Sequence, residues 1–416
     1  MSLSREDALR LDAADPLASL RERFVNNDPH LIYLDGNSLG RLSFDVRERL
    51  RQVIDDEWGT RLISGWDEWI SLPTRVGDLL GSTLLGAGPG QVVVADSTTI
   101  NLYKLAMAGV DTHQGRRTLL TDDDNFPTDR YVLQGICERN GLTLRTIHSD
   151  IDEGIDLASL EQALDDVALV CLSHVAYRSG ALADMRAITS AAHKGGALML
   201  WDLSHSVGSV PIDLDACQVD FATGCTYKYL NGGPGAPAFS YVNRTLQDSV
   251  RQPIWGWFAQ ADQFEMGPDY RPVSGIEQQL VGTTQVLQTA GLEASVALLG
   301  EAGIGRLRAK GEQLTSMIVD LADEWLTPFE ARVASPRHPK MRGSHVVIEH
   351  PGAWQLTQAL VERQVIPDFR TPNRVRLGPA PIYTRFVDVW DGMDILRDIL
   401  ERGRWKDLDP KPKRVT

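Results

Sequence analysis

Between about residues 90 and 245, short β-rich apolar runs alternate with helix-length segments, and this alternation limits the possible folds more than any other feature of the chain. The runs lie at 92–95, 118–121, 144–147, 169–173, 198–202, 220–223 and 238–242. Strands that need a helix-length crossover to reach one another pair in parallel, so the pattern predicts an α/β body with a mostly parallel, mixed sheet between helices. The intervening helices carry their own punctuation. The segment 99–108 follows an Asp96-Ser97 start signal, 127–137 opens on a proline, and 184–194 stops at Gly195-Gly196. Ligands of such sheets sit beyond the carboxyl ends of the strands, which is where chemistry is sought here.

With 416 residues the chain is too long for one ordinary core. After residue 283 a long helical stretch at 284–322 leads into a βαβ-like tail at 344–349, 354–363 and 375–377, with a helix at 385–402. The expected division is a large domain of residues 61–283 and a small α+β domain built from both chain ends, 1–60 and 284–416. Acidic side chains outnumber basic ones, 56 against 42, which argues against a broad grip on nucleic acid or anionic lipid. Any anionic ligand must then be held by local donors. The longest apolar runs, 197–201 and 168–172, are far too short to span a membrane, and the opening MSLSREDALRLD lacks the apolar core of a secretory signal, so the expected location is the cytoplasm.

Cys137, Cys171, Cys217 and Cys225 have no metal-ligand or redox-pair spacing and read as reduced core residues. No dinucleotide fingerprint, Walker loop, HExxH or GxSxG is present. The run Asp122–Asp124 reads as a solvated acidic turn, and no metal site is expected.

Three constellations carry chemistry. In GCTYKYLNGGPGAPAF, Lys228 directly follows a strand and precedes a glycine-rich turn, flanked by Tyr227 and Tyr229. A surface loop lysine is the ordinary reading; the alternative is a partly desolvated amine of the kind that forms Schiff bases, with Gly232, Gly233, Gly235 and Ala236 giving room for a close approach to the backbone. In LMLWDLSHSVG, Asp202 ends an apolar strand and His205 follows three positions on. Asp202 either caps the next turn or partners a protonated pyridine nitrogen, as the acid does in sites that use pyridoxal phosphate as an electron sink. In VVVADSTTINLYKL, a strand enters a helix whose start carries Ser97, Thr98 and Thr99, either a plain helix start or an anion site. A phosphate site at the first helix, an acid at a later strand end and a lysine one strand further on is the order a pyridoxal phosphate enzyme requires.

Two weaker candidates accompany them. In DDDNFPTDRYV, Phe126 could stack on an aromatic cofactor and Asp129 could meet its polar edge, or the segment is simply a helix start. In TPNRVRLGPAPIYTRF, Arg374 and Arg376 share a strand, only one is expected to face inward, and Arg376 beside Gly378-Pro379 would suit a bidentate clamp on a carboxylate.

The assembled motifs YLDGNSLG (33–40), DSTTINLY (96–103), NFPTD (125–129), WDLSHSVG (201–208), TYKYLNGG (226–233), GWF (256–258) and RLGPAPIY (376–383) resemble kynureninase, a family within the class V aminotransferase group of fold type I pyridoxal phosphate enzymes. The resemblance runs in order from about residue 30 to 395. It implies hydrolytic Cβ–Cγ cleavage of L-kynurenine to anthranilate and L-alanine, or of its 3-hydroxy derivative, in tryptophan degradation and NAD-precursor metabolism. It further implies that Lys228 forms the Schiff base with the cofactor, that Asp202 pairs with the pyridine nitrogen and that Tyr227 relays protons. Thr98 and Thr99 would hold phosphate with Tyr227. Phe126 would stack on the ring, in a segment that includes Pro127 and Thr128, while Asp129, Ser173 and His205 complete the ring contacts. Trp257 and Thr283 would reach the phosphate from the neighbouring subunit of a homodimer. Arg376, helped by Asn37, would bind the substrate carboxylate, and Trp66, Gly282 and Thr283 would surround its aromatic ring. A cysteine desulfurase, the nearest enzymatic alternative, needs a mobile cysteine after the lysine, whereas every cysteine here precedes Lys228. A non-catalytic sensor on the same fold would not require the intact Lys228, Asp202 and His205 set.

Overall fold

The structure is a computed structural model that describes residues 3–113 and 115–411. Its centre is a seven-stranded sheet made of β1 (Val92–Val94), β2 (Thr118–Asp122), β3 (Thr143–Ile147), β4 (Val167–Ser173), β5 (Leu198–Asp202), β6 (Phe221–Gly224) and β7 (Phe239–Val242). The spatial order is β1-β7-β6-β5-β4-β2-β3, parallel throughout except for β7, which runs antiparallel to both β1 and β6. Each expected strand is present within a residue or two. The near-continuous burial of β1, β2, β4, β5, β6 and β7 explains why they read as unbroken apolar runs: both faces are covered. Helices α1 (Thr98–Thr112), α2 (Pro127–Asn140) and α3 (Met185–Lys194) are the crossovers that matter for the site. Because β1, β2, β4 and β5 are parallel, Ser97–Thr99, Phe126–Asp129, Ser173 and Asp202 all emerge at the same edge of the sheet.

The C-terminal half departs from expectation in two places. The stretch 284–322 is not one helix but two, α4 (Val286–Ala302) and α5 (Ile304–Trp325), separated by Gly303 at φ +78, a backbone conformation that only glycine adopts cheaply. The tail is not βαβ-like either. Strands β8 (Arg332–Val333), β9 (Val346–Glu349), β10 (Asp368–Arg370) and β11 (Arg374–Leu377) form a sheet of order β8-β9-β11-β10 in which every pair is antiparallel. Helices α6 (Ala353–Glu362) and α7 (Phe386–Arg402) pack on it. The two- and three-residue strands β8 and β10 are too short to leave a periodic signal in the sequence.

Two hydrophobic cores result. The smaller combines Ala8, Ile32 and Leu34 from the N-terminal stretch with residues of α5, α6, α7 and the antiparallel sheet. The α4 segment, expected there, instead sends Leu292, Val296 and Leu299 into the large core, as do Leu17, Leu20, Phe24 and Val53 from the N-terminal stretch.

The 33–40 motif bridges the bodies. Ile32–Tyr33 pairs in parallel with Val365–Ile366, Gly36 donates its N–H to the Gly378 carbonyl at 3.0 Å, and Gly40 donates to the Tyr227 carbonyl at 2.8 Å. A Cβ on Gly40 would come within 2.4 Å of the Lys228 carbonyl oxygen, so the glycine lets this strap press against the lysine loop.

Candidate active site

At the carboxyl edge of the large sheet lies a cavity of about 250 Å³ lined by Ser97, Thr98, Thr99, Phe126, Thr128, Asp129, Asp202, His205, Tyr227 and Lys228, with Asp96, Ser204, Gly235, Ala236 and Ala238. The strand order explains the convergence. β5 carries Asp202 and adjoins β6, which runs into the Tyr227-Lys228 loop, while β1 delivers the α1 N-terminus from across β7.

Lys228 Nζ stands 3.1 Å from His205 Nε2, with the Phe126 and Tyr227 ring centroids 6.0 and 5.9 Å away. His205 is buried, and burial together with the Lys228 and Arg376 charges holds it well below the ordinary histidine range. It is therefore a neutral ring that can accept a hydrogen bond from the lysine amine.

Asp202 accepts a hydrogen bond from the Ser204 N–H at 2.8 Å, so it caps the turn that follows β5 while lining the cavity. Beside it, Asp129 is driven well above the carboxylate range by burial and by the Asp202 charge, so a protonated acid stands next to Asp202. Asp129 Oδ2 is buried without a hydrogen-bond partner. An orphaned carboxyl oxygen next to a buried carboxylate fits a ligand that brings its own polar edge, such as a pyridinium ring. The other end of the cavity fits a phosphate. The α1 cap residue Ser97 makes no side-chain capping bond, so the first amides of the helix and the hydroxyls of Thr98 and Thr99 are available at a helix N-terminus. Tyr227 stays protonated because the neighbouring Cys225 sulfur and burial both raise it, and its hydroxyl enters as a donor.

Arg376 is fully buried 3.5 Å from His205 Nε2. Its fork is held by Asp368 through Nε at 2.9 Å and through Nη2, while Nη1 donates to the Tyr177 carbonyl at 2.7 Å and Nη2 to Ser38 Oγ at 3.0 Å. With its amide oxygen turned toward the guanidinium, Asn37 accepts from Nε at 2.7 Å. The expectation that only one of Arg374 and Arg376 faces inward fails. Residues two apart on a strand lie on the same face, and both are buried, Arg374 meeting Asp152 across the body boundary. The Asp122–Asp124 turn is not solvated as expected. Asp122 and Asp124 are buried; Asp124 pairs with Arg178, and burial lifts Asp122 to about 7.

Other sequence-derived residues fall outside the cavity. Ser173 ends β4 opposite Asp202 but donates to Asn125 Oδ1 at 2.7 Å, lining the adjacent space; Pro127 serves as the first residue of α2. Trp66, Trp257, Gly282 and Thr283 do not line it within one chain. They gather elsewhere: Trp66 and Trp257 both pack on Phe258, at 5.9 and 5.2 Å between centroids, and the Phe258 N–H donates to the Val281 carbonyl beside exposed Gly282 and Thr283. Among the four cysteines, all free, Cys217 is half-buried and the rest are buried. Sequence reasoning missed Asp368, Ser38, Tyr177, Asp96 and Ser204. Their signals are ordinary polar residues in loops and short strands, and only the SLG and DST motif contexts pointed near Ser38 and Asp96.

Comparison with known proteins follows the same lines. The aminotransferase class-V family matches residues 82–350, and the kynureninase C-terminal domain matches 307–396. A kynureninase from Pseudomonas fluorescens is 42% identical over 411 residues, covering 97% of each chain. The chain belongs to the kynureninase family. A kynureninase from Burkholderia pseudomallei (strain 1106a) is likewise 42% identical over 413 residues, 97% of each chain. Kynureninase relatives are thus matched through both bodies, not the sheet alone. Among solved structures, the apo cysteine desulfurase from Thermococcus onnurineus NA1 superposes with TM-score 0.80 at 19% identity, covering 92% of this chain and 98% of that one. A cysteine desulfurase from Escherichia coli gives 0.78 at 15%, covering 93% and 98%. At those identities the likeness is one of fold. Pyridoxal phosphate is the cofactor of this fold and family, and the Asp202–Asp129 and Ser97–Thr99 ends of the cavity suit its two ends.

Proposed function

We propose that the chain hydrolyses L-kynurenine at the Cβ–Cγ bond to give anthranilate and L-alanine. The observation that carries this reading is the position of Lys228 Nζ 3.1 Å from Nε2 of neutral His205, with Arg376 Nη1 3.5 Å from the same nitrogen, in a chain of the kynureninase family. Bound pyridoxal phosphate supplies an electron sink for negative charge generated next to the substrate amine.

The chain's own residues do the rest. Lys228 Nζ takes the proton from the substrate α carbon and returns it, with His205 Nε2 accepting a hydrogen bond from the amine and steadying it. Asp202 and the protonated Asp129 line the ring-nitrogen end of the site and keep it polar. Arg376 holds the substrate α-carboxylate; Asp368 and Asn37 fix its fork, and Nη1 is the edge turned toward His205. Tyr227 Oη, kept protonated, donates a proton as the γ-carbonyl is attacked by water and the bond breaks.

The second cluster, Trp66, Trp257, Gly282 and Thr283, acts on the neighbouring copy of a homodimer. In support, Trp257 is exposed together with Trp255, Phe264 and Met266, large apolar side chains that a partner subunit would cover. There Trp66 and Gly282 would border the substrate ring and favour the unsubstituted kynurenine. We place the reaction in tryptophan breakdown in the cytoplasm, leading toward NAD precursors. Among the described residues no helix is long and apolar enough to cross a membrane.

The test is direct: purified protein with pyridoxal phosphate is given L-kynurenine and anthranilate fluorescence is followed. Release of anthranilate is expected, and the Lys228→Ala variant should lose both turnover and the absorption band of the lysine-bound cofactor. Wild-type turnover by Lys228→Ala would refute the assignment.

A further inference from the structure

The phosphate end of the cavity contains an electrostatic contradiction. Asp96, the residue just before Ser97–Thr99, lines the same cavity, so a carboxylate borders the place where a phosphate dianion would sit. Its backbone is fixed in the left-handed region at φ +56, and its carbonyl accepts the Ala238 N–H at 3.0 Å, so the residue is held there by β7. Like charges lining one cavity work against binding unless one is compensated.

The compensation comes from the next turns of α1. Lys104 is completely buried, an environment that lysine enters only when paired. Its Nζ lies 2.6 Å from Asp96 Oδ2 and 2.6 Å from the Gln279 carbonyl oxygen. Burial pulls the ammonium downward while the Asp96 carboxylate holds it up. The contact to Gln279 reaches the 3₁₀ turn Ile276–Gln279, which leads directly into Gly282 and Thr283. One side chain thus ties the chain's own phosphate loop to the segment assigned above to a neighbouring copy's site.

We infer that Lys104 is a positioning residue for cofactor binding: it neutralises and pins Asp96, so that the Ser97–Thr99 helix start accepts a phosphate dianion. The inference rests on the reading of Thr98 and Thr99 as the phosphate site.

The experiment compares pyridoxal phosphate with pyridoxal, which lacks the phosphate, by absorbance or fluorescence titration of the apoprotein. Wild-type protein should bind the phosphorylated form more tightly; equal affinities would sink the phosphate-site reading itself. Given that preference, Lys104→Met should lower the ratio of the two affinities at least tenfold, with pyridoxal binding little changed. The double variant Asp96→Asn/Lys104→Met, which removes both charges, should restore the ratio to within about threefold of wild type, as paired removal of buried charges often does for stability. A Lys104→Met protein that keeps the wild-type ratio, loses both ligands equally, or is not rescued by Asp96→Asn overturns the inference. If Lys104→Met does not fold, Asp96→Asn alone decides: a ratio retained or raised supports the charge argument, and a tenfold fall overturns it.

Discussion

Asp368→Ala tests how Arg376, proposed above to bind the substrate carboxylate, is held. The Asp368 and Arg376 side chains are each about 1% exposed, and Asp368 also accepts from Ser38 Oγ at 2.8 Å and pairs with Arg370 at 2.8 Å. Removing the carboxylate leaves a guanidinium buried with only neutral partners, the Tyr177 carbonyl, Ser38 and Asn37. Breaking a buried pair from one side costs about 3–5 kcal/mol. Two features move the cost toward the lower bound. Arg370 is partly exposed and can turn to water. Asp35, lifted to about 7 by burial and by the Asp368 charge, would move down once that charge is gone and place a new carboxylate near Arg376. The expected loss is therefore about 3 kcal/mol, read as a lowered urea midpoint at unchanged slope with pyridoxal phosphate held at one saturating concentration. The double variant Asp368→Leu/Arg376→Met should regain most of the stability and none of the activity, since an apolar pair can replace a buried ion pair but cannot bind a carboxylate. A loss below about 1 kcal/mol, or a double variant as unstable as the single one, would show that the pair does not organise this part of the small body.

Three further outcomes are expected. Asp122 has a folded-state value of about 7, above its unfolded one, so the folded protein binds the extra proton and stability falls as pH rises through about 4 to 7. Asp122→Asn, which keeps an acceptor for the Asp124 N–H, should raise the thermal midpoint by roughly 2 °C or more at pH 8 and leave it unchanged at pH 4; an equal shift at both would disprove the titration. Asp202→Asn should still bind the cofactor but turn over far more slowly, and full activity would rule out its electrostatic role. Co-expressing Lys228→Ala with Trp257→Ala subunits should recover up to about a quarter of wild-type activity by random pairing in a twofold dimer, whereas no recovery would mean that Trp257 acts within its own chain.

The large sheet was legible because its strands are buried on both faces and its crossovers are helices, so strand, helix and turn signals come in unambiguous order. The Lys228, Asp202 and Thr98-Thr99 motifs were legible for a related reason: each sits where a strand ends, and parallel strands deliver their ends to one edge. The small sheet was less legible. Two- and three-residue strands such as β8 and β10 have no period to detect, and nothing local distinguishes an antiparallel return from a crossover. Gly303 was visible as a glycine but not as the break in the 284–322 helix, since φ is decided by the packing on either side.

The sequence by itself determined the α/β class, the order of the motifs along the chain and the chemistry that a strand-end lysine, a strand-end acid and a hydroxyl-rich helix start can support. Only the tertiary structure decided which polar groups share a charge. Asp129 is protonated because it is buried and Asp202 lies beside it, Arg376 is held by Asp368 from a strand too short to notice, and Lys104 is buried because Asp96 and a distant carbonyl receive it. Electrostatic partnership depends on distance in space and on exclusion of water, and neither quantity is a property of neighbouring positions in a chain.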